Sequence, residues 1–201
     1  MTELSREDAR FKKKVMKLET TSRSEVMVAG IGGMGVLVAG QVLAWAAVQR
    51  YKYVSYIPSY EAARRGGLSE CTVIFSDEEI ASPILEQVQT VIILDGAQLK
   101  AFESRVRPGG IIIVDCAGLV DKPERKDFKL LSFSGMEIAI GMGESLINNL
   151  ILLGVYVELT KTVPEKFIEE ELHRRYGDKG KILDRNIKAF QRGLELAKTT
   201  A

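Results

Sequence analysis

Apolar positions first gather at Val26–Gly30, a short run ending in glycine, and the chain then stays apolar on most faces from Val36 to Gln49. That succession predicts a buried strand, a tight turn and a buried helix. Tyr53–Ile57 is β-branched and aromatic, and Glu70–Phe75 (ECTVIF) is a further strand of similar character. The stretch between these two is too short for a crossover helix, so the later strand is expected to run antiparallel. Thr90–Leu94 and Ile111–Val114 are unbroken apolar runs, as in strands covered on both faces. Gln98–Arg107, between them, has helical composition, and Pro108-Gly109-Gly110 is read as its stop.

Further on the pattern changes. Ser145–Leu159 is long and apolar enough for a buried helix, with Asn148 and Asn149 inside it. Pro164 and Glu165 open another helix running to about Tyr176, Gly177–Gly180 breaks it, and Ile182–Lys198 has the stripe of a last amphipathic helix. Strands alternating with helices, then helices alone, predict an α/β fold: a mostly parallel, Rossmann-like sheet flanked by helices, with a C-terminal helical segment. At 201 residues the chain fits one domain, read as residues 25–201, behind a charged arm of residues 1–24. That arm carries Arg6, Arg10, Lys12, Lys13, Lys14 and Lys17 among scattered acids. It reads as a solvated segment or as a docking arm for a partner subunit.

Composition narrows the function classes. With 46% hydrophobic and 27% charged residues, the chain can bury a full core without disulfides. Lys+Arg minus Asp+Glu is 28 − 27, a net charge of +1, which gives no general attraction to nucleic acid. No apolar run approaches the roughly 20 residues that span a bilayer, and the first 24 positions lack the apolar centre of a signal peptide, so a cytoplasmic protein is expected. Cys71 and Cys116 share no metal-ligand spacing and read as reduced thiols. His173, the only histidine, lies in a charged helix away from the loops and receives no catalytic role.

Candidate chemistry gathers at two glycine-rich turns. Gly30-Ile31-Gly32-Gly33-Met34-Gly35 satisfies G-x-G-x-x-G between a strand and a helix. Its free N–H groups and the helix dipole suit a phosphate or carboxylate. In a dinucleotide-binding unit an acid is expected about 20 residues on, at the end of the second strand. Here that strand ends at Ile57-Pro58-Ser59, and Glu61 lies beyond it. A free-standing NAD(P) oxidoreductase therefore stays open, with Arg64 and Arg65 as contacts for a 2′-phosphate. So does a purely structural role for the glycines in strand–helix packing. The second turn, Ser59-Tyr60-Glu61-Ala62-Ala63-Arg64-Arg65-Gly66-Gly67, would bring arginine, which can hold an anion bidentately, beside the first. Asn149 reads either as a satisfied interior amide or as a ligand contact. Asp95 and Asp115 stand at strand ends, where capping explains them as well as a place in the cleft.

Taken together, the spaced motifs resemble the gamma family of 2-oxoacid:ferredoxin oxidoreductases over roughly residues 25–197. They are G-I-G-G-M-G, P-S-Y…R-G-G, Ser76-Asp77-Glu78-Glu79-Ile80…Ser82-Pro83, Leu94-Asp95, Pro108-Gly109-Gly110, Asn149–Gly154 and the Asn186…Gly193 helix. Met34 stands where the family usually has Gln, Glu61 where it has Gly, and Ala63 where it has an acid. The resemblance implies a subunit that works beside alpha, beta and ferredoxin-like delta subunits. Those hold thiamine diphosphate and iron–sulfur clusters, and the complex passes electrons to ferredoxin while coenzyme A takes up the acyl group. Two cysteines cannot supply the four thiolates of a cluster, so this chain holds none alone. The resemblance further implies substrate or coenzyme A contacts at Gly30, Gly32, Gly33, Met34, Gly35, Ser59, Tyr60, Arg65, Gly66, Gly67 and Asn149, with no catalytic residue in this chain. The Cys71–Phe75 strand and the segment after it look closer to the 2-oxoglutarate type than to the pyruvate type. A non-catalytic assembly subunit is the remaining alternative.

Overall fold

The computed structural model describes residues 23–60, 66–120 and 122–200. Residues 1–22, which hold most of the predicted arm, and 61–65, which include Arg64 and Arg65, lie outside the described residues. Strand β1 (Arg23–Ile31) leads through the glycine loop into α1 (Val36–Val48), and β2 (Tyr53–Tyr60) follows. β3 (Leu68–Ser76), β4 (Val88–Ile93), a broken helical segment with α2 (Leu99–Phe102) at its centre, and β5 (Val106–Asp115) come next. β6 (Lys129–Phe133) and α3 (Gly135–Gly141) precede the helices α4 (Asn148–Thr160), α5 (Glu165–Tyr176) and α6 (Gly180–Thr200). β1 thus starts two residues inside the stretch read as the arm.

The six strands lie in the order β2-β3-β1-β4-β5-β6. β4, β5 and β6 pair in parallel outward from β1, whereas β3 is antiparallel to both β1 and β2. The expected mostly parallel sheet and its one reversed strand are both present. The period-2 alternation divides the sheet into two faces. Val26, Val28, Cys71, Val73, Phe75, Ile92, Ile111 and Ile113 pack under α1, α4 and α6 in the larger core. Met27, Ala29, Val91, Ile93, Ile112 and Val114 form a thinner core with Leu99 and Phe102 of α2.

Two sequence expectations need correction. Gln98–Arg107 does not form one helix: α2 has four residues, flanked by 3-10 turns at Gly96–Gln98 and Glu103–Arg105. The guanidinium of Arg125 donates to the carbonyls of Glu103 and Val106 at 2.9 and 2.8 Å, while the buried Glu103 carboxylate accepts from the Arg125 N–H at 2.7 Å. Those bonds occupy a carbonyl that a continuing helix would use. Pro108-Gly109-Gly110 consequently lies inside β5, where Gly109 has a positive φ and the ladder to β4 shifts register. The pattern also missed β6 and α3. β6 is an edge strand whose first four residues are only partly buried or exposed, so its apolar signal is weak.

A candidate anion-binding crevice at the carboxyl edge of the sheet

β1 turns into α1 on one face of the sheet, and β4 turns into α2 on the other. The connections therefore part company at the carboxyl ends of β1 and β4, the switch point at which open α/β sheets bind ligands. Gly30 has its Cα so close to Leu94 and Val36 that an added Cβ would sit 3.3 Å from each side chain. Gly33 and Gly35 have φ of +100° and +76°, so the turn itself demands glycine at both places. Gly32 and Gly33 are exposed at its tip, and Met34, half-buried, packs against the larger core.

The loop is held from two sides. The Gly32 N–H donates to the Gly67 carbonyl at 2.8 Å, which ties the turn after β1 to the turn before β3. Asn149 Nδ2 donates to the Gly35 carbonyl at 2.9 Å, and Asn149 Oδ1 accepts from the Leu150 N–H at 2.8 Å. Asn149 is buried with both ends of its amide used. Of its two readings, the satisfied interior amide describes its position, and it supports the loop from beneath. Gly35 caps α1 in the left-handed conformation and has no side chain to cap the helix, so its first-turn amides carry no capping bond from that residue.

Ser59 is exposed near the end of β2 and pairs with Glu70, and the backbone of Tyr60 pairs with Ser69. The Tyr60 side chain and Arg65 fall outside the described residues. Gly66, exposed with φ +78°, and Gly67 bring the chain back beside Gly32. Thus Gly30, Gly32, Gly33, Met34, Gly35, Gly66, Gly67 and Asn149 come together, with the carboxyl end of β2 at the same edge.

Asp95, at the β4 end, accepts from the Ala97 N–H at 3.1 Å and caps the turn that follows. Asp115 is fully buried at the β5 end and accepts from the N–H groups of Ala117 and Met136 at 2.8 and 2.7 Å. Burial pushes its carboxyl above the usual range, against the pull of these donors. The Met136 bond starts α3 from a neighbouring strand. Asn148 Nδ2 donates to the Leu94 carbonyl at 3.2 Å, a link between α4 and the β4 end that the sequence did not reveal. Both aspartates therefore do the capping work that their positions suggested.

The donor set does not fit a cluster. Cys71 is buried under α1, its thiol donates to the Val36 carbonyl at 3.6 Å, and burial raises its pKa to about 12. Cys116 is exposed at the β5 end. Among the described residues no three His, Cys, Asp or Glu side chains are grouped to hold a metal ion, and no helix is long and apolar enough to cross a membrane. His173 is exposed on α5.

Known proteins resemble this chain in sequence and fold. The chain is 32% identical over 174 residues to the ketoisovalerate oxidoreductase subunit VorA of Methanothermobacter marburgensis, covering 86% of this chain but 36% of that protein. It is 30% identical to the 2-oxoglutarate synthase subunit KorC of the same organism, covering 87% of this chain and 96% of the relative. The chain thus spans about a third of the first relative and nearly all of the second. The structure matches the gamma subunit of a keto/oxoacid ferredoxin oxidoreductase from Geobacter sulfurreducens with a TM-score of 0.74 and 28% identity, over 88% of this chain and 99% of that one. Residues 25–196 match the family described as pyruvate ferredoxin/flavodoxin oxidoreductase, and the chain belongs to that family.

Proposed function

We propose that this chain is the gamma subunit of a multi-subunit 2-oxoacid:ferredoxin oxidoreductase, and that its carboxyl-edge crevice forms one wall of the shared site where coenzyme A or the 2-oxoacid is held. The observation that carries this reading is the braced glycine loop at the switch point, opening onto a helix N-terminus that no side chain caps. Backbone amides there attract phosphate or carboxylate oxygens. Arg65, between Tyr60 and Gly66 in the sequence, supplies the anion contact in this reading.

Thiamine diphosphate and the iron–sulfur clusters belong, in this reading, to the alpha, beta and ferredoxin-like delta subunits. The reaction converts a 2-oxoacid to carbon dioxide and an acyl thioester while ferredoxin takes the electrons. This chain's part is to bind and orient an anionic group and to keep the wall rigid while other subunits perform the chemistry. The chain is about equally similar to subunits named for ketoisovalerate and for 2-oxoglutarate. A wall serving the step common to both, acyl transfer to coenzyme A, accounts for that evenness better than one reading the oxoacid side chain. On the motif resemblance, 2-oxoglutarate is the first substrate to try.

Arg65→Ala in the assembled enzyme is expected to raise the apparent KM for coenzyme A or the 2-oxoacid, with the complex still intact by gel filtration. Unchanged kinetics in an intact complex would remove Arg65 from the site. Loss of assembly would indicate a structural role instead.

A further inference from the structure

α1 carries no charged residue and one amide, Gln41, which accepts from the guanidinium of Arg175 at 3.0 and 3.1 Å. A helix this apolar is normally covered on every side. Val38, Gln41, Trp45 and Val48 follow one another at steps of three and four residues, so they form one line along the helix. Val38 is half-buried, while Trp45 and Val48 are each 53% exposed, with the Arg174 guanidinium 5.0 Å from the centre of the indole ring.

The two ends of this line differ in character. Val38 lies three residues beyond Gly35, so the line begins at the lip of the crevice. Its other end meets an acidic corner, where Asp77, Glu78 and Glu79 are all exposed. Arg50, two residues beyond Val48, reaches Asp77 at 3.5 Å. Glu78 and Glu79 have no ion-pair partner among the described residues. An exposed tryptophan and valine, running from a crevice lip to unpaired acids, have the apolar centre and charged rim of an interface.

We propose that the outer face of α1 is the docking surface for the subunit that closes over the crevice. That subunit sets an apolar side chain on Trp45 and Val48, and lysine or arginine side chains on Glu78 and Glu79. Another subunit is the occupant because the line continues the crevice wall, and its contact is basic because the acids at the far end are unpaired. This rests on the function proposed above, in which a second subunit shares the crevice, and it adds where that subunit grips.

Trp45 is the only tryptophan of the chain, so its oxidation reports on this face. Hydroxyl-radical footprinting read by mass spectrometry should show Trp45 oxidised several-fold more slowly in the purified complex than in the isolated chain. Val48→Asp should weaken assembly roughly tenfold or more, because it would bury an unpaired carboxylate. Glu78→Lys with Glu79→Lys should weaken it several-fold, by a factor that shrinks in high salt. All three positions are exposed, so the isolated variants should keep the wild-type Tm. A complex that forms while Trp45 oxidises equally in both states overturns the docking surface and leaves the proposed function standing. Undiminished assembly by both variants overturns it as well. So does Trp45 already protected in the isolated chain, at any concentration, because the cover would then be the chain itself or a second copy. A chain that recruits no thiamine-diphosphate or iron–sulfur subunit removes both readings.

Discussion

Gly33 and Gly35 sit two residues apart in one turn, with similar backbone strain for any other residue, yet their surroundings differ. A Cβ on Gly33 would meet nothing within 4 Å, whereas one on Gly35 would strike the Asn149 amide. Gly33→Ala should therefore cost about 1–2 kcal/mol, the ordinary penalty of the left-handed conformation. Gly35→Ala should cost clearly more, because it also displaces the brace. Asn149→Ala removes the bonds to Gly35 and Leu150 and should cost about 1–3 kcal/mol. Urea unfolding of the three variants checks this ranking, and equal losses at Gly33 and Gly35 would deny Asn149 its part. Asp115 carries a pH signature. Its folded pKa is raised by burial, so the folded state holds its proton to higher pH than the unfolded chain does. Its contribution to stability is full below the unfolded value and is lost as pH rises through the raised one. Stability of the wild type relative to Asp115→Asn should then fall as pH rises through and above the ordinary carboxylate range. Denaturant midpoints across that range measure it, and a rise would reverse the assignment.

α4 and α6 meet at two glycines. An added Cβ on Gly154 would strike the Phe190 carbonyl, and one on Gly193 would strike the Ile151 carbonyl, so the backbones touch where any side chain would part them. Gly193→Ala should cost about 1–3 kcal/mol through overpacking, read as a lowered Tm, while exposed Gly180→Ala at the start of α6 should cost little. This crossing explains why Asn149–Gly154 and Asn186–Gly193 stood out together in the sequence. Elements with a strong period were legible in the same way: β1, α1, β2 and the reversed β3 follow from their apolar runs and the short β2–β3 connection. What failed to show was set by distant partners. The helix after β4 is cut short by Arg125, more than 20 residues away. β6 carries little apolar pattern because it lies at an edge, and α3 takes a cap from Asp115 on another strand. The glycine turns could be read from sequence, but their bracing by Gly67 and Asn149 depends on tertiary packing.

At the scale of the whole molecule, one edge of the sheet gathers the glycine turns and strand-end aspartates, while the two cysteines lie apart, Cys71 buried under α1 and Cys116 exposed at the β5 end. The proposed function puts this domain beside subunits that hold the reactive groups. The most direct measurement is purification of the native chain under anaerobic conditions through an affinity tag, with identification of what accompanies it and assay of the product. The account predicts co-purifying thiamine-diphosphate and iron–sulfur subunits, and reduction of a viologen dye that requires both a 2-oxoacid and coenzyme A. A chain that emerges alone and binds NAD(P)H would contradict it and make the glycine loop a dinucleotide site.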